Sequence, residues 1–324
     1  MKGLYFDGTG MTYREDLPIP ERTAGKSLIR ILLADICSTD KEVLKGYRPD
    51  FKGIMGHEFV GEVVESDETG LIGRIVVGEL NEGCGTCLYC RTMREKHCLN
   101  RQVIGLSRDG CFAEYMVLDT HLIHAVPDGL PAEQAIFTEP LAAALEIVSQ
   151  VHVDPALNAA VIGDGRLAYM TAQVLSLTGI NLTVVGKHED KLAMFAPFAR
   201  TALLSEYPPE RELAAEECFE YVVDAAGNES GFHLAMKLVR NRGTIILKST
   251  YAGNASIPMS LIAVNEITVV GSRCGPFEPA LKLLAEGKVS FPPVELYDLK
   301  EYRDAFASGA FKAGFRIGNP RKKD

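Results

Sequence analysis

The chain has no apolar run approaching the ~18 residues needed to cross a bilayer, which excludes a helical membrane protein. Its N-terminal stretch, Met1-Lys2-Gly3-Leu4-Tyr5-Phe6-Asp7, meets an acid before any apolar core forms, so no signal peptide is expected. Long runs of Lys or Arg are missing as well. The nearest thing to one, Arg321-Lys322-Lys323, reads as a frayed terminus. With 34 Lys and Arg against 43 Asp and Glu, the net charge is −9, and because binding a phosphate backbone needs a basic face, this acidic balance argues against nucleic acid as the main partner. Internal repeats and low-complexity segments are absent too. What remains is the profile of a globular, cytoplasmic protein: 47% hydrophobic and 24% charged over 324 residues, enough for two ordinary domains or one large one.

The residues that are present change character along the chain. The first ~130 are β-rich in pattern. Short β-branched or alternating runs at Lys26 to Ile36, His57 to Glu65, Gly73 to Leu80 and Phe112 to Leu118 are separated by Gly, Asp and Pro, which predicts a barrel-like or sandwich-like unit. From Val153 onward strands alternate with helices. Strands are predicted at Ala159 to Gly163, Leu182 to Gly186, Tyr221 to Asp224, Gly243 to Leu247 and Ile267 to Val270, with a weaker one at Thr201 to Leu204. Helical spacing falls at Arg166 to Leu177, Glu189 to Phe195 and Phe232 to Val239. This is the rhythm of a doubly wound parallel sheet, an α/β fold.

Eight cysteines are present, and in a reducing compartment clustered cysteines point to metal before disulfides. Gly83-Cys84-Gly85-Thr86-Cys87-Leu88-Tyr89-Cys90 is followed shortly by Cys98. Each C-x-x-C pair can turn two thiolates to one point, and Gly85 eases the turn. Four thiolates make a closed tetrahedral zinc site, a staple with no open position for chemistry. A redox pair and an iron–sulfur cluster are the competing readings. Cys111, Cys218 and Cys274 have no metal-like spacing and read as core or surface thiols.

Three further ligand types are scattered: Cys37 in Cys37-Ser38-Thr39-Asp40, His57 in Gly56-His57-Glu58, and Glu139 in Thr138-Glu139-Pro140-Leu141-Ala142. Taken singly these are a core thiol, a surface His-Glu and a helix N-terminal acid. Spacing alone does not join them.

Farther on, Val161-Ile162-Gly163-Asp164-Gly165-Arg166-Leu167-Ala168 follows a predicted strand and opens a predicted helix. It is a G-x-G-x-x-A variant of the dinucleotide fingerprint. Gly163 permits the tight turn, Gly165 lets a pyrophosphate approach the backbone where Arg166 and Leu167 begin the helix, and Ala168 allows close packing. The next strand ends at Gly186-Lys187-His188, with no acid for a ribose 2′-hydroxyl. Gly186 leaves room, and Lys187 and His188 can pair with a 2′-phosphate, so NADP is expected over NAD. The other reading of Lys187 is a solvated residue at a helix start.

In this order, Cys-x-Thr-Asp, Gly-His-Glu, the four-Cys lobe, Glu-Pro-Leu-Ala and the glycine motif, the sequence resembles the zinc-dependent medium-chain alcohol dehydrogenase superfamily through nearly its whole length. The Glu-Pro-Leu-Ala form is similar to the polyol, sugar and threonine dehydrogenase branches. The resemblance implies a GroES-like catalytic domain over 1–152 and 273–324 and a Rossmann domain over 153–272. It implies a catalytic zinc on Cys37, His57 and Glu139 beside the structural zinc on Cys84, Cys87, Cys90 and Cys98. Glu58 becomes an outer residue or a transient ligand. Thr39 becomes the hydroxyl that bonds the substrate oxygen and passes its proton outward, and Arg316 is expected to reach a cofactor phosphate. Where some members carry a relay His, this chain reads Lys41-Glu42-Val43, so Glu42, the cofactor ribose or water continues the relay. The implied activity is reversible hydride transfer between an alcohol (a polyol, sugar or secondary alcohol) and NADP or NAD, in a homo-oligomer, dimer or tetramer. A zinc-independent quinone-type reductase and a non-catalytic nucleotide or redox sensor are the alternatives.

Overall fold

The computed structural model describes residues 1–250 and 256–319; Arg321, Lys322 and Lys323 lie outside the described residues. The chain divides into two compact units, 1–139 with 277–324, and 140–276. The sequence reading places the breaks at 152/153 and 272/273. The helix Thr138–Gln150 therefore begins in the first unit and runs on into the second.

The first unit is built on a seven-stranded sheet. Its strands run in the order Ile123–Ala125, Ile75–Gly78, Glu58–Glu65, Lys26–Asp35, Ala313–Arg316 and Glu295–Tyr297, and Tyr115–Asp119 also pairs with Lys26–Asp35. The long strand Lys26–Asp35 is nearly all buried, including Ile29, Ile31, Leu32 and Leu33, which explains its continuous apolar run. Its antiparallel partner Glu58–Glu65 is held in the register Asp35↔Glu58 and Ala34↔Phe59. That register sets Cys37, just past one strand end, beside His57, just before the other strand begins. A two-residue ribbon, Asn81↔Val103 and Glu82↔Gln102, closes the base of the loop that carries Cys84 to Cys98. Glu82 on this ribbon is ion-paired by both Lys26 and Arg108, and Lys26 also meets Asp119 at 2.9 Å.

The second unit is a six-stranded parallel sheet. The strand order is Arg200–Leu203, Asn181–Gly186, Asn158–Ile162, Phe219–Asp224, Val239–Leu247, Thr268–Gly271. Successive residues feed opposite faces. Ala159 and Val161 enter one apolar cluster with Ala168, Ala172 and Leu175, while Ala160 and Ile162 enter the other with Phe232, Ala235 and Leu238. The helix predicted from Phe232 begins at Glu229, because the Asn228 side chain caps it by accepting the Gly231 amide at 3.3 Å. The strand predicted from Gly243 begins at Val239, directly after that helix.

Strand order reverses between Asn158–Ile162 and Phe219–Asp224. In an open α/β sheet the crevice beyond the carboxyl ends at such a switch point is where ligands bind. Among the described residues no helix is long and apolar enough to cross a membrane.

Candidate metal and cofactor sites

The Sγ atoms of Cys84, Cys87, Cys90 and Cys98 all lie within 4.8 Å of one another. Cys87 Sγ is 3.5 Å from Cys90 Sγ and 3.7 Å from Cys98 Sγ. A tetrahedron of thiolates about 2.3 Å from zinc has edges of about 3.8 Å, so the four fit the ion. The sulfurs belong to free cysteines, with Cys90 and Cys98 buried. Gly85 takes φ +72° with open space where a β-carbon would stand, as the tight turn requires. The Thr86 hydroxyl, followed by the Thr86 and Cys87 amides, lowers the Cys84 thiol to about 6, which favours the thiolate that a metal needs.

A second group forms where the two long strands meet. Ligand atoms of Cys37, His57 and Glu58 lie within 4.8 Å of one another. Cys37 caps the helix Ser38–Leu44, and the first turn of that helix carries Asp40. Asp40 Oδ2 accepts the Cys37 amide at 2.8 Å, and Asp40 Oδ1 stands 3.6 Å from His57 Nδ1. Before His57 the chain turns at Gly56 with φ +89°, where a β-carbon would come within 2.4 Å of the Phe112 ring. Burial disfavours the charged form of His57. The Asp40 carboxylate and Cys37 outweigh it and raise the His57 pKa well above the usual value. Thr39 Oγ1 accepts from Cys37 Sγ at 3.7 Å, so the hydroxyl lies beside the ligand group.

Glu58 is 1% exposed and forms an ion pair with the equally buried Lys312. Glu139 sits in the first turn of Thr138–Gln150, half-buried, and is not part of the three-residue group. Arg316 donates to Glu133 at 2.9 Å, within the first unit. Sequence reasoning missed Asp40 and Lys312 as site residues. Asp40 had a signal, an acid at the third helical position after Cys37, which is the spacing of a capping box. Lys312 had none, because its partner lies far off in the sequence.

In the second unit Gly163 follows the strand Asn158–Ile162 at φ +123°, and a β-carbon there would come within 2.8 Å of the Ala225 carbonyl. Gly165 caps the helix Arg166–Ser176, and a β-carbon there would meet nothing within 4 Å. Ala168 is fully buried against the sheet. Open space at Gly165, ahead of a helix N-terminus, is the cradle that a pyrophosphate needs. Lys187 and His188 are exposed just after Asn181–Gly186. The space that Gly186 leaves is taken by another residue: a β-carbon at Gly186 would lie 2.8 Å from Asp164 Cβ. At the neighbouring strand ends, burial raises the Asp224 pKa, and buried Lys248 donates to the Arg273 carbonyl at 2.8 Å.

Two family models match in tandem, the alcohol dehydrogenase GroES-like domain over residues 23–128 and the zinc-binding dehydrogenase domain over 167–286. The chain belongs to the zinc-type medium-chain alcohol dehydrogenase superfamily. It is an NAD(P)-dependent alcohol oxidoreductase with zinc as its metal. It is similar to D-arabitol-phosphate dehydrogenase of Enterococcus avium, at 28% identity over 90% of this chain and 88% of that protein. It is also similar to sorbitol dehydrogenase of Halalkalibacterium halodurans, at 29% identity over 92% of each chain. A structure from Sinorhizobium meliloti 1021, described as a zinc-binding dehydrogenase bound to NADP, shares the fold with a TM-score of 0.88 at 24% identity, covering 97% of this chain and 98% of that one.

Proposed function

We propose that this chain interconverts a secondary alcohol of a polyol or sugar with the corresponding carbonyl compound, using NADP in preference to NAD. The observation that carries the reading is the convergence of Cys37, His57 and Glu58 from two paired strand ends. Thiolate, imidazole and carboxylate are competent zinc ligands. Cys37 and His57 supply two of them, and Glu139 and Glu58 are the two carboxylates available as the third. Cys84, Cys87, Cys90 and Cys98 hold a second, structural zinc.

When bound, the catalytic zinc is a Lewis acid toward the substrate oxygen and the nicotinamide exchanges the hydride. The chain's own residues do the rest. Asp40 aims His57 and ties Cys37 to its helix. Thr39, beside Cys37, accepts the proton of the substrate hydroxyl and passes it outward. Gly163, Gly165, Arg166 and Leu167 seat the dinucleotide, with Lys187 and His188 at its 2′-phosphate.

Relatives named for arabitol phosphate and sorbitol support the polyol class. A homo-oligomer is proposed as well, supported by exposed Met259, Leu261 and Val264 beside the edge strand Thr268–Gly271. Light scattering that finds only monomer would reject it.

The functional test is turnover of a panel of polyols, sugars, sugar phosphates and simple alcohols with NADP and NAD, beside a zinc count. Two zinc ions per chain and activity lost in Cys37→Ser are expected. Full activity after removal of the labile zinc would favour a quinone-type reductase. No turnover on any substrate would favour a sensor. A zinc count that stays at two in Cys90→Ser would sink the structural site.

A further inference from the structure

The second nucleotide-binding strand ends without an acid, yet a carboxylate stands there. Asp164, between Gly163 and Gly165, folds back over Gly186. Its Oδ2 accepts the Lys187 amide at 2.7 Å and the His188 amide at 2.8 Å, and lies 2.9 Å from His188 Nδ1. The Asp164 side chain is 13% exposed, against 53% for His188. A β-carbon at residue 186 would collide with Asp164 Cβ and with Leu192, so the glycine is required by the folded-back acid. One loop of the cofactor site thus grips the next.

The grip has a chemical consequence. Three N–H groups converge on one carboxylate oxygen and hold the ionised carboxylate in place. With Nδ1 donating to Asp164, Nε2 of the neutral His188 ring is an acceptor, and it donates to a phosphate only in the imidazolium form. Among the described residues the Lys187 amine has no ion-pair partner. The turn therefore displays one ammonium and one imidazole edge, and Asp164 holds both in place.

We propose that Asp164 is the positioning residue that sets discrimination for the cofactor's 2′-phosphate, by fixing the Lys187–His188 turn from within the glycine loop. This rests on the NADP preference proposed above and goes beyond it by assigning that preference to a residue outside the strand end. A free acid at this place would read a ribose hydroxyl and repel a phosphate. An acid whose inner oxygen is filled by three donors acts as an anchor.

The test is binding of 2′,5′-ADP and 5′-AMP to the full-length, zinc-loaded protein by calorimetry. The two probes differ only by the 2′-phosphate, and no turnover is involved. Wild type is expected to bind 2′,5′-ADP at least about tenfold more tightly than 5′-AMP. Lys187→Ala is expected to erase most of that ratio. Asp164→Asn and Asp164→Ala are expected to lower it by about fivefold or more while 5′-AMP affinity stays within about twofold. A merely structural role would weaken both probes together. An unchanged ratio in both Asp164 variants, or a ratio that rises when the acid is removed, overturns the assignment. A wild-type ratio near one that Lys187→Ala leaves alone overturns the NADP preference, and this inference with it. A high wild-type ratio with indifferent Asp164 variants overturns the inference alone.

Discussion

Asp40 Oδ1 stands 3.6 Å from His57 Nδ1 while the other oxygen of the same carboxylate accepts the Cys37 amide at 2.8 Å. One fully buried acid thereby fixes two groups that the sequence keeps well apart. Its removal is expected to act on the metal before it acts on the fold. Outer partners of ligands are worth 10- to 100-fold in metal affinity. Asp40→Asn should lower affinity for the labile zinc by about that factor, read by competition with a chelator, while the four-cysteine zinc stays bound. Equal retention of both ions in the variant would contradict the role.

The Glu58–Lys312 pair is buried on both sides. Removing one partner of a buried pair costs about 3–5 kcal/mol, because the other charge stays out of water. Lys312→Met is expected to destabilise the first unit on that scale in urea unfolding. Lys312→Met combined with Glu58→Gln should recover a large part of the loss, with a coupling energy of at least about 1 kcal/mol. Strictly additive effects would mean that the two side chains do not depend on each other.

Gly163 and Gly165 lie two positions apart and should fail in different ways. Gly163 has φ +123° and no room for a β-carbon, so Gly163→Ala is expected to cost about 1–3 kcal/mol of stability. Gly165 has ordinary backbone angles and open space. Gly165→Val should therefore change stability by less than about 0.5 kcal/mol while abolishing dinucleotide binding. Tight NADP binding by a folded Gly165→Val protein would remove the cradle assignment.

A pH dependence follows from Asp164. Burial pushes its carboxyl upward, but the His188 and Lys187 amides and the His188 ring prevail and lower it. A carboxyl with a folded-state pKa below its unfolded value contributes stability that is complete above the unfolded pKa of about 3.9 and fades as pH falls through the folded value. The stability difference between wild type and Asp164→Asn should thus be present at pH 5 and close as pH drops below about 4. A difference that grows on acidification would reverse the sign and refute the anchoring role.

What could be read from the chain without its fold was whatever lies close together in sequence. The four cysteines share one short loop, so their spacing alone implies that the thiolates can converge, and the Sγ separations agree. The glycine motif lies between one strand and one helix, and hydrophobic periodicity exposes both. The alternation of strands and helices in the second half follows from the same local rules. Even there the start of the helix after Asn228 depended on a cap that periodicity does not register.

Tertiary structure decided the rest, because those contacts depend on how distant strands pair. Cys37 meets His57 only through the register Asp35↔Glu58, and a slip of one residue would send these side chains to the other face. Lys312 reaches Glu58 because Ala313–Arg316 pairs with Lys26–Asp35 and so returns the end of the chain to the site. Asp164 covers Gly186 because neighbouring parallel strands end side by side. By itself the sequence determined which ligand chemistries this protein carries. Sheet register, a long-range property that residue spacing does not encode, decided which of them stand together.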